Sequence, residues 1–203
     1  MDRRAHWEDV YRRKADLDTS WFQERPDDSL LLIRESGLGL SAPVLDVGGG
    51  TSRLVDELLA AGFSDITVLD IAANALERAR DRIGAPAGKV QWLAADITTW
   101  VPPRRYGLWH DRAVFHFLTE AADRAAYRRG LEAGLLPGGI AVMAGFALDG
   151  PERCSGLPVA RYSPDTLSAE LGARFQLLDS RSVEHITPAG RPQRFQYSVF
   201  RFG

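Results

Sequence analysis

VLDVGGGTS, Val44 to Ser52, decides the reading of the fold: a short apolar strand runs into three consecutive glycines, and the amphipathic stretch Arg53 to Leu59 follows. Gly48, Gly49 and Gly50 carry no side chain, so the backbone can turn sharply there and a ligand can lie against it. Thr51 or Ser52 can then cap the new helix. A second apolar strand, Ile66 to Leu69, ends at Asp70, 20 residues beyond Gly50. At that place a carboxylate can accept hydrogen bonds from the ribose hydroxyls of a ligand lying across adjacent strand ends. The glycine run alone is a weak signal; paired with Asp70 it describes a nucleotide-type site.

The spacing also excludes ligands. The dinucleotide fingerprint needs a small residue three places after its second glycine, and Gly48-x-Gly50 has Arg53 there, which disfavours close packing on a pyrophosphate. No G-x-x-x-x-G-K-[ST] occurs, which removes the phosphate-loop NTPases. Asp46, Gly48 and Gly50, with Ser52 in the place of a final glycine, resemble motif I of the class I S-adenosylmethionine-dependent methyltransferases. Asp70 in TVLDIA resembles that family's ribose-binding acid. Asp96 in WLAADI, after the apolar Val90 to Leu93, is similar to its acid at the adenine edge, with Ile97 as a ring contact. LLPGGIAVM, Leu135 to Met143, resembles the turn into its fifth strand. The landmarks follow one another in family order over nearly the whole chain. The resemblance implies S-adenosyl-L-methionine as cofactor and S-adenosyl-L-homocysteine as product, with Asp46, Gly48, Gly49, Gly50, Asp70, Ile71, Asp96, Ile97 and His110 as the cofactor-binding set.

The remaining pattern alternates strands and helices. Helices are expected at Asp2 to Lys14, Asp27 to Ser36, 52–61, 73–83, 120–134 and 164–171, and strands at 43–47, 65–70, 89–94, 106–110, 139–146, near 174–185 and 193–202. This β-α-β order implies a parallel sheet covered on both faces, a three-layer α/β/α sandwich of Rossmann-like type with ligands at the carboxyl ends of the strands. The turn TPAGRP is too short for a crossover helix, so the last of the seven strands must run antiparallel to its predecessor. We expect a single domain over 1–203, with 1–40 as an N-terminal helical cap and 41–203 as the core.

Composition fits that reading. The chain of 203 residues is 45% hydrophobic, enough for one core, and 25 basic against 27 acidic residues give no electrostatic case for nucleic acid. One cysteine, Cys154, rules out an intramolecular disulfide and suits a reducing compartment. MDRRAHWEDVYRRK lacks a signal peptide's apolar core, and no apolar run approaches the ~20 residues that span a bilayer. The expectation is a cytoplasmic protein, monomer or homodimer, without membrane or nucleic-acid partners. Neither the histidines nor Cys154 have metal-ligand spacing.

The acceptor side is expected at the end of the fourth strand, where His110, Asp111 and Arg112 are candidate catalytic residues. Asp111-Arg112-Ala113 resembles the thiopurine-type small-molecule methyltransferases. HWEDVYRRK, SWFQ (Ser20 to Gln23) and GFSDITVLDIA resemble the elongation-factor lysine methyltransferases. The two branches ask for opposite electrostatics. A thiol, with a pKa of ~8.5, is helped by a cation such as Arg112. A lysine amine must lose a proton, to Asp111 or a neutral His110. Against these stand structural readings: an ion pair capping the next helix for His110 to Arg112, and simple packing for His116 between Phe115 and Phe117. Trp21 and Phe22 are placed to form a lid over the site. The Gly- and Pro-rich loop Phe146 to Tyr162 would supply Arg153, Arg161 and Tyr162 to an anionic or soft acceptor, with Cys154 as a small buried filler. With His116, these complete the expected substrate-binding set. The leading expectation is methyl transfer to a small-molecule nucleophile, a thiol or another soft acceptor. The alternatives are a protein lysine N-methyltransferase and a non-catalytic S-adenosylmethionine-binding protein.

Overall fold

A computed structural model describes residues 2–203. The chain opens with helix α1, Arg3–Arg13, whose first turn is capped by the Asp2 carboxylate accepting from the Ala5 N–H, and α2, Asp27–Glu35. Strand and helix then alternate: β1 Val44–Val47, α3 Leu54–Ala60, β2 Ile66–Asp70, α4 Ala73–Ile83, β3 Val90–Ala94, β4 Tyr106–Arg112, α5 Ala121–Gly134 and β5 Leu135–Phe146. A two-residue hairpin follows, β6 Arg153–Cys154 and β7 Leu157–Pro158. The chain closes with α6 Pro164–Leu171, β8 Phe175–Ile186 and β9 Pro192–Phe202. Ser163 and Thr166 start α6 with reciprocal side-chain-to-backbone hydrogen bonds, and Pro164 fills the first helical position, where its missing N–H costs nothing.

One sheet of seven strands, in the order β3-β2-β1-β4-β5-β9-β8, divides the molecule. All its pairings are parallel except those of β9, which runs antiparallel to β5 on one side and β8 on the other. The last strand is antiparallel as expected, and it lies inside the sheet rather than at its edge. β1 is buried on both faces, as a strand with helices above and below must be. One face carries Val44, Val68, Leu108 and Val142 against α2 and α3; the other carries Leu45, Val47, Trp109 and Met143 against α5 and α6.

The sequence places most elements within two residues, with two informative departures. β4 continues to Arg112, two residues past its expected end, which puts three polar side chains inside a paired strand. β5 begins at Leu135 rather than 139, because Leu135 pairs with Tyr106 before the register shifts and Ile140 pairs with Leu108. Pro137, Gly138 and Gly139 form the irregularity, with Gly138 at φ 75°. Chain direction reverses its outward progress at β1, between β2 and β4. At such a switch point the loops after neighbouring strands diverge and leave a crevice. No helix among the described residues is long and apolar enough to cross a membrane.

Candidate functional site

The loop after β1 is shaped by its surroundings as much as by its own freedom. The Gly48 and Gly49 N–H groups both donate to the Leu69 carbonyl, at 2.6 and 3.2 Å, which ties the loop to the end of β2. Gly48 and Gly50 adopt φ of 68° and 47°, a region that side chains resist. A Cβ on Gly48 would overlap Val114, and one on Gly50 would overlap the Tyr11 hydroxyl and press on Asp70. Of the two hydroxyls expected to cap α3, that of Ser52 accepts from the Leu54 N–H at 3.1 Å. Arg82 of α4 clamps the loop from below. It donates to the carbonyls of Thr51 (2.8 Å) and Ser52 (2.9 Å) and holds Asp56 through two further hydrogen bonds.

Three acids stand around this loop. Asp46 on β1 lies opposite His110 on β4, so both side chains share one face of the sheet. Its Oδ1 receives His110 Nδ1 at 2.7 Å, while His110 Nε2 meets the Ser29 hydroxyl at 2.9 Å, so both ring nitrogens are engaged. Asp46 Oδ2 is buried and has no hydrogen-bond partner. Asp70, at the end of β2, accepts from the Ala72 N–H at 2.8 Å. Burial pushes its carboxyl up to about 7, the Ala72 N–H holds it back and the nearby Asp46 charge adds to the rise. Asp96, after β3, is more open: its Oδ1 takes the Thr98 N–H and hydroxyl at 2.8 and 2.7 Å, and Arg3 stands 3.9 Å from Oδ2.

Two chambers open along the carboxyl ends of the strands. The larger has Asp70, Ile71, Asp96 and Ile97 on one wall and Arg112, Phe117, Phe146 and Phe195 on the other. The smaller is lined by Asp46, Gly49, His110, Ser29 and Phe22. Tyr11, Trp21, Val47, Gly48 and Arg112 line both, so the chambers meet at the glycine loop. The roof is aromatic. Trp7 of α1 packs edge-on against Trp21 (centroids 5.8 Å apart) and Phe117 (5.0 Å), and Tyr11 against Trp21 (6.1 Å). α1 is fastened to α4 by Ala73 N–H to the Glu8 carboxylate (2.7 Å), Asn74 to the Glu8 carbonyl (2.8 Å) and Arg78 to the Tyr11 carbonyl (2.8 Å). Phe22 faces the smaller chamber with the Arg53 guanidinium 5.4 Å from its ring centroid.

The expected cluster of His110, Asp111 and Arg112 does not form one site. Side chains alternate along a strand, so Asp111 turns to the opposite face, beneath α5. It is wholly buried there, accepts from the Tyr127 hydroxyl (2.6 Å) and the N–H groups of Val114 and Phe115, and borders neither chamber. Burial pushes its carboxyl up to about 6 against those hydrogen bonds. His116 sits behind the chamber wall, packed on Phe117 and Phe146, with neither ring nitrogen hydrogen-bonded; burial, then the Arg112 charge, pushes it down to about 3. The 146–162 loop also differs from expectation. Arg153 bonds the Gly156 carbonyl, Arg161 bonds the Gly150 carbonyl and Glu152, and Tyr162 packs on Phe115, so none of the three lines either chamber. Cys154 does reach the wall of the larger chamber, where burial raises its thiol pKa. Sequence reasoning missed Phe195 and Gln193, which reach the chamber from β9. The alternating apolar positions of FQYSVF marked a strand, but not its place beside β5. Among the described residues no group of three His, Cys, Asp or Glu side chains is arranged to hold a metal ion.

Residues 44–139 match the family model described as a methyltransferase domain. The chain is 33% identical over 82 residues to EEF1A lysine methyltransferase 2 of Mus musculus, covering 36% of this chain and 34% of that protein. It is 31% identical over 122 residues to Nodulation protein S of Bradyrhizobium diazoefficiens, covering 60% of this chain and 56% of that one. The chain thus spans between about a third and just over half the length of these curated relatives. The solved structure of the N-methyltransferase NodS from Bradyrhizobium japonicum, in complex with S-adenosyl-L-homocysteine, superposes with a TM-score of 0.73 at 18% identity, over 99% of each chain.

Proposed function

We propose that the chain, whose residues 44–139 match the methyltransferase-domain model and whose fold is that of the S-adenosyl-L-homocysteine-bound NodS structure, transfers a methyl group from S-adenosyl-L-methionine to a small-molecule nucleophile. The observation that carries the reading is the pair of joined chambers at the switch point, with a carboxylate at each strand end and one buried carboxylate oxygen, Asp46 Oδ2, left without a donor. The residues fit the cofactor's three parts. Asp70 accepts from the ribose hydroxyls, and Asp46 Oδ2 accepts from the amino group of the methionine tail. Asp96 and Ile97 hold the adenine edge, and Ile71 packs beside them. Gly48, Gly49 and Gly50 keep the loop low enough for the backbone to approach the tail.

The cofactor supplies an already activated methyl group, so the protein's work is placement. Trp7, Tyr11 and Trp21 close the chamber from above and exclude water, which strengthens each polar contact inside. The walls would hold an acceptor close against the methyl group, and placement of that kind is worth several orders of magnitude in rate. His110, with both nitrogens engaged, orients Asp46 and Ser29 and does not serve as a free base. Asp111 fixes the turn after β4 through Tyr127 and two backbone N–H groups. A proton need leave the acceptor only if it arrives protonated, and the chamber then favours acceptors that ionise readily.

The resemblance to EEF1A lysine methyltransferase 2 supports a second reading, methylation of a protein lysine. A lysine ammonium would approach through the wall that bears Arg112, which makes no ion pair among the described residues, and the like charge opposes it. Calorimetric titration with S-adenosyl-L-homocysteine tests the cofactor, and absence of binding by folded protein would sink the proposal. Incubation of a cell extract with methyl-labelled cofactor separates the acceptors: label in small soluble or volatile products supports the first reading, label in a protein band the second.

A further inference from the structure

Resting on the reading above, we propose that the methyl acceptor is an anion with an adjoining hydrogen-bond donor, held by Arg112 and Gln193 and admitted through a groove lined by Lys14 and Arg191. Arg112, at the end of β4, borders both chambers, and its side chain reaches across to β9. Its Nε donates to the Tyr197 hydroxyl at 3.0 Å and its Nη1 to the Trp21 carbonyl at 3.1 Å, while the guanidinium lies 4.5 Å from the Phe195 ring centroid. These contacts are all neutral. Nη2 is buried without a partner, and no carboxylate pairs with the guanidinium among the described residues. Arg112 is half-buried, and its buried, unpartnered Nη2 carries part of the cost of an unpaired charge, which a ligand that brings a counter-ion recovers. The planar guanidinium fits a carboxylate or a comparably delocalised oxyanion, and its charge also stabilises a thiolate.

Gln193 Oε1 is a second buried polar atom without a partner, and it lines the same chamber. A carbonyl oxygen can only accept, so the group that satisfies it is an N–H or O–H. The walls between the two are apolar: Phe117, Phe146, Phe195 and the Cys154 side chain. An unpaired cation, an unpaired acceptor and aromatic walls specify a small, flat anion with a neighbouring donor.

Gln193 also lines a separate outer groove, together with Lys14, Asp18, Thr19, Thr187 and Arg191. Lys14 and Arg191 have no ion-pair partner among the described residues, and Asp18 is the one carboxylate in the groove lining. Gln193 therefore stands between an exterior with excess positive charge and the chamber wall bearing Arg112. Such a path draws anions inward and repels an ammonium.

The test uses the whole chain saturated with S-adenosyl-L-homocysteine and three probes: 2-aminobenzoate, its neutral counterpart 2-aminobenzamide, and benzoate, which keeps the charge but lacks the donor. The proposal expects 2-aminobenzoate to bind at least about tenfold more tightly than 2-aminobenzamide, the worth of one hydrogen bond to a charged group. It expects Arg112→Met to erase that preference while leaving S-adenosyl-L-homocysteine affinity within about twofold. Gln193→Leu should erase the preference for 2-aminobenzoate over benzoate and leave the charge preference intact. Equal binding of acid and amide by the wild type, or binding of neither at millimolar concentration, overturns the proposal. These wild-type measurements stand whether or not the variants fold. Loss of cofactor-product affinity in Arg112→Met also overturns it, because Arg112 would then serve the cofactor's carboxylate. Failure of the wild type to bind S-adenosyl-L-homocysteine at all counts instead against the cofactor assignment.

Discussion

The Asp70 carboxyl, raised to about 7 by burial, must be ionised if it is to accept the ribose hydroxyls of the proposed cofactor. Binding selects the carboxylate, so cofactor affinity should be flat above pH 7 and fall by about tenfold per unit below it. Titration calorimetry at pH 5.5, 6.5 and 8 checks this, and a pH-independent affinity would remove Asp70 from the ribose contact. Asp70→Ala should weaken binding by about 1–3 kcal/mol at pH 8. His116 shows the opposite kind of linkage. Its folded pKa, about 3, lies below the ordinary 6.5 of an unfolded histidine. The unfolded chain therefore binds the extra proton, and the stability contributed by the neutral ring is complete above pH 6.5 and lost as pH falls toward 3. Relative to a His116→Leu variant, the wild type should lose about 2 kcal/mol between pH 8 and pH 5, measured by urea unfolding at both. Asp46 and Gly48 at the end of β1, Asp70 at the end of β2 and Asp96 after β3 were legible as chamber-lining residues because strand ends are marked by a spacing local to the chain. Arg112 was legible as a charge but not as an unpaired one. Its partners Tyr197 and Trp21 come from opposite ends of the chain, and no local pattern reports that meeting.

Elements supply the rigidity these residues need. Arg82 joins α4 to the glycine loop through two carbonyls and to α3 through Asp56. Arg82→Met keeps much of the stem but removes these bonds. It should cost about 2 kcal/mol in urea unfolding and weaken cofactor binding as well, since the loop loses its support. An unchanged unfolding midpoint would show the clamp to be incidental. Gly48 is confined for two separable reasons, its positive φ and the Val114 side chain over its Cα. Gly48→Ala should be destabilised through both. Adding Val114→Ala should recover the steric part and leave about 1 kcal/mol for the backbone; a double variant no better than the single would show that overlap with Val114 is irrelevant. Helices and parallel strands were readable because their periodicities are local. The Asp111 assignment failed on the same periodicity, since extending β4 to Arg112 fixes which of three adjacent polar residues face the crevice. The 146–162 loop was legible as a loop, but its arginines bond backbone carbonyls close in sequence, and loop composition does not separate that outcome from ligand binding.

At the scale of the molecule, α1 and the segment carrying Trp21 cover both chambers, so a ligand as large as the proposed cofactor bridges roof and sheet when it binds. S-adenosyl-L-homocysteine should therefore slow tryptic cleavage after Arg12, Arg13 and Lys14 and change the fluorescence of Trp7 and Trp21. Cleavage and emission unaffected by saturating product would mean that the roof does not take part in binding. The sheet order was within reach of the sequence only as a family expectation; what periodicity cannot convey is which strand fills the gap beside β5. That strand, β9, enters the sheet against the direction of the others and presents its first residues, not its last, to the shared rim. Gln193, Phe195 and Tyr197 fall at alternate positions along it, while the proposed cofactor contacts lie almost entirely between residues 46 and 97. Heredity can thus rewrite one short stretch near the end of the polypeptide and leave the donor half intact. If the proposed acceptor contacts hold, a combinatorial library confined to those three codons is a compact route to new alkylation specificities, and lineages sharing the front half of this scaffold are then free to diverge in what they alkylate.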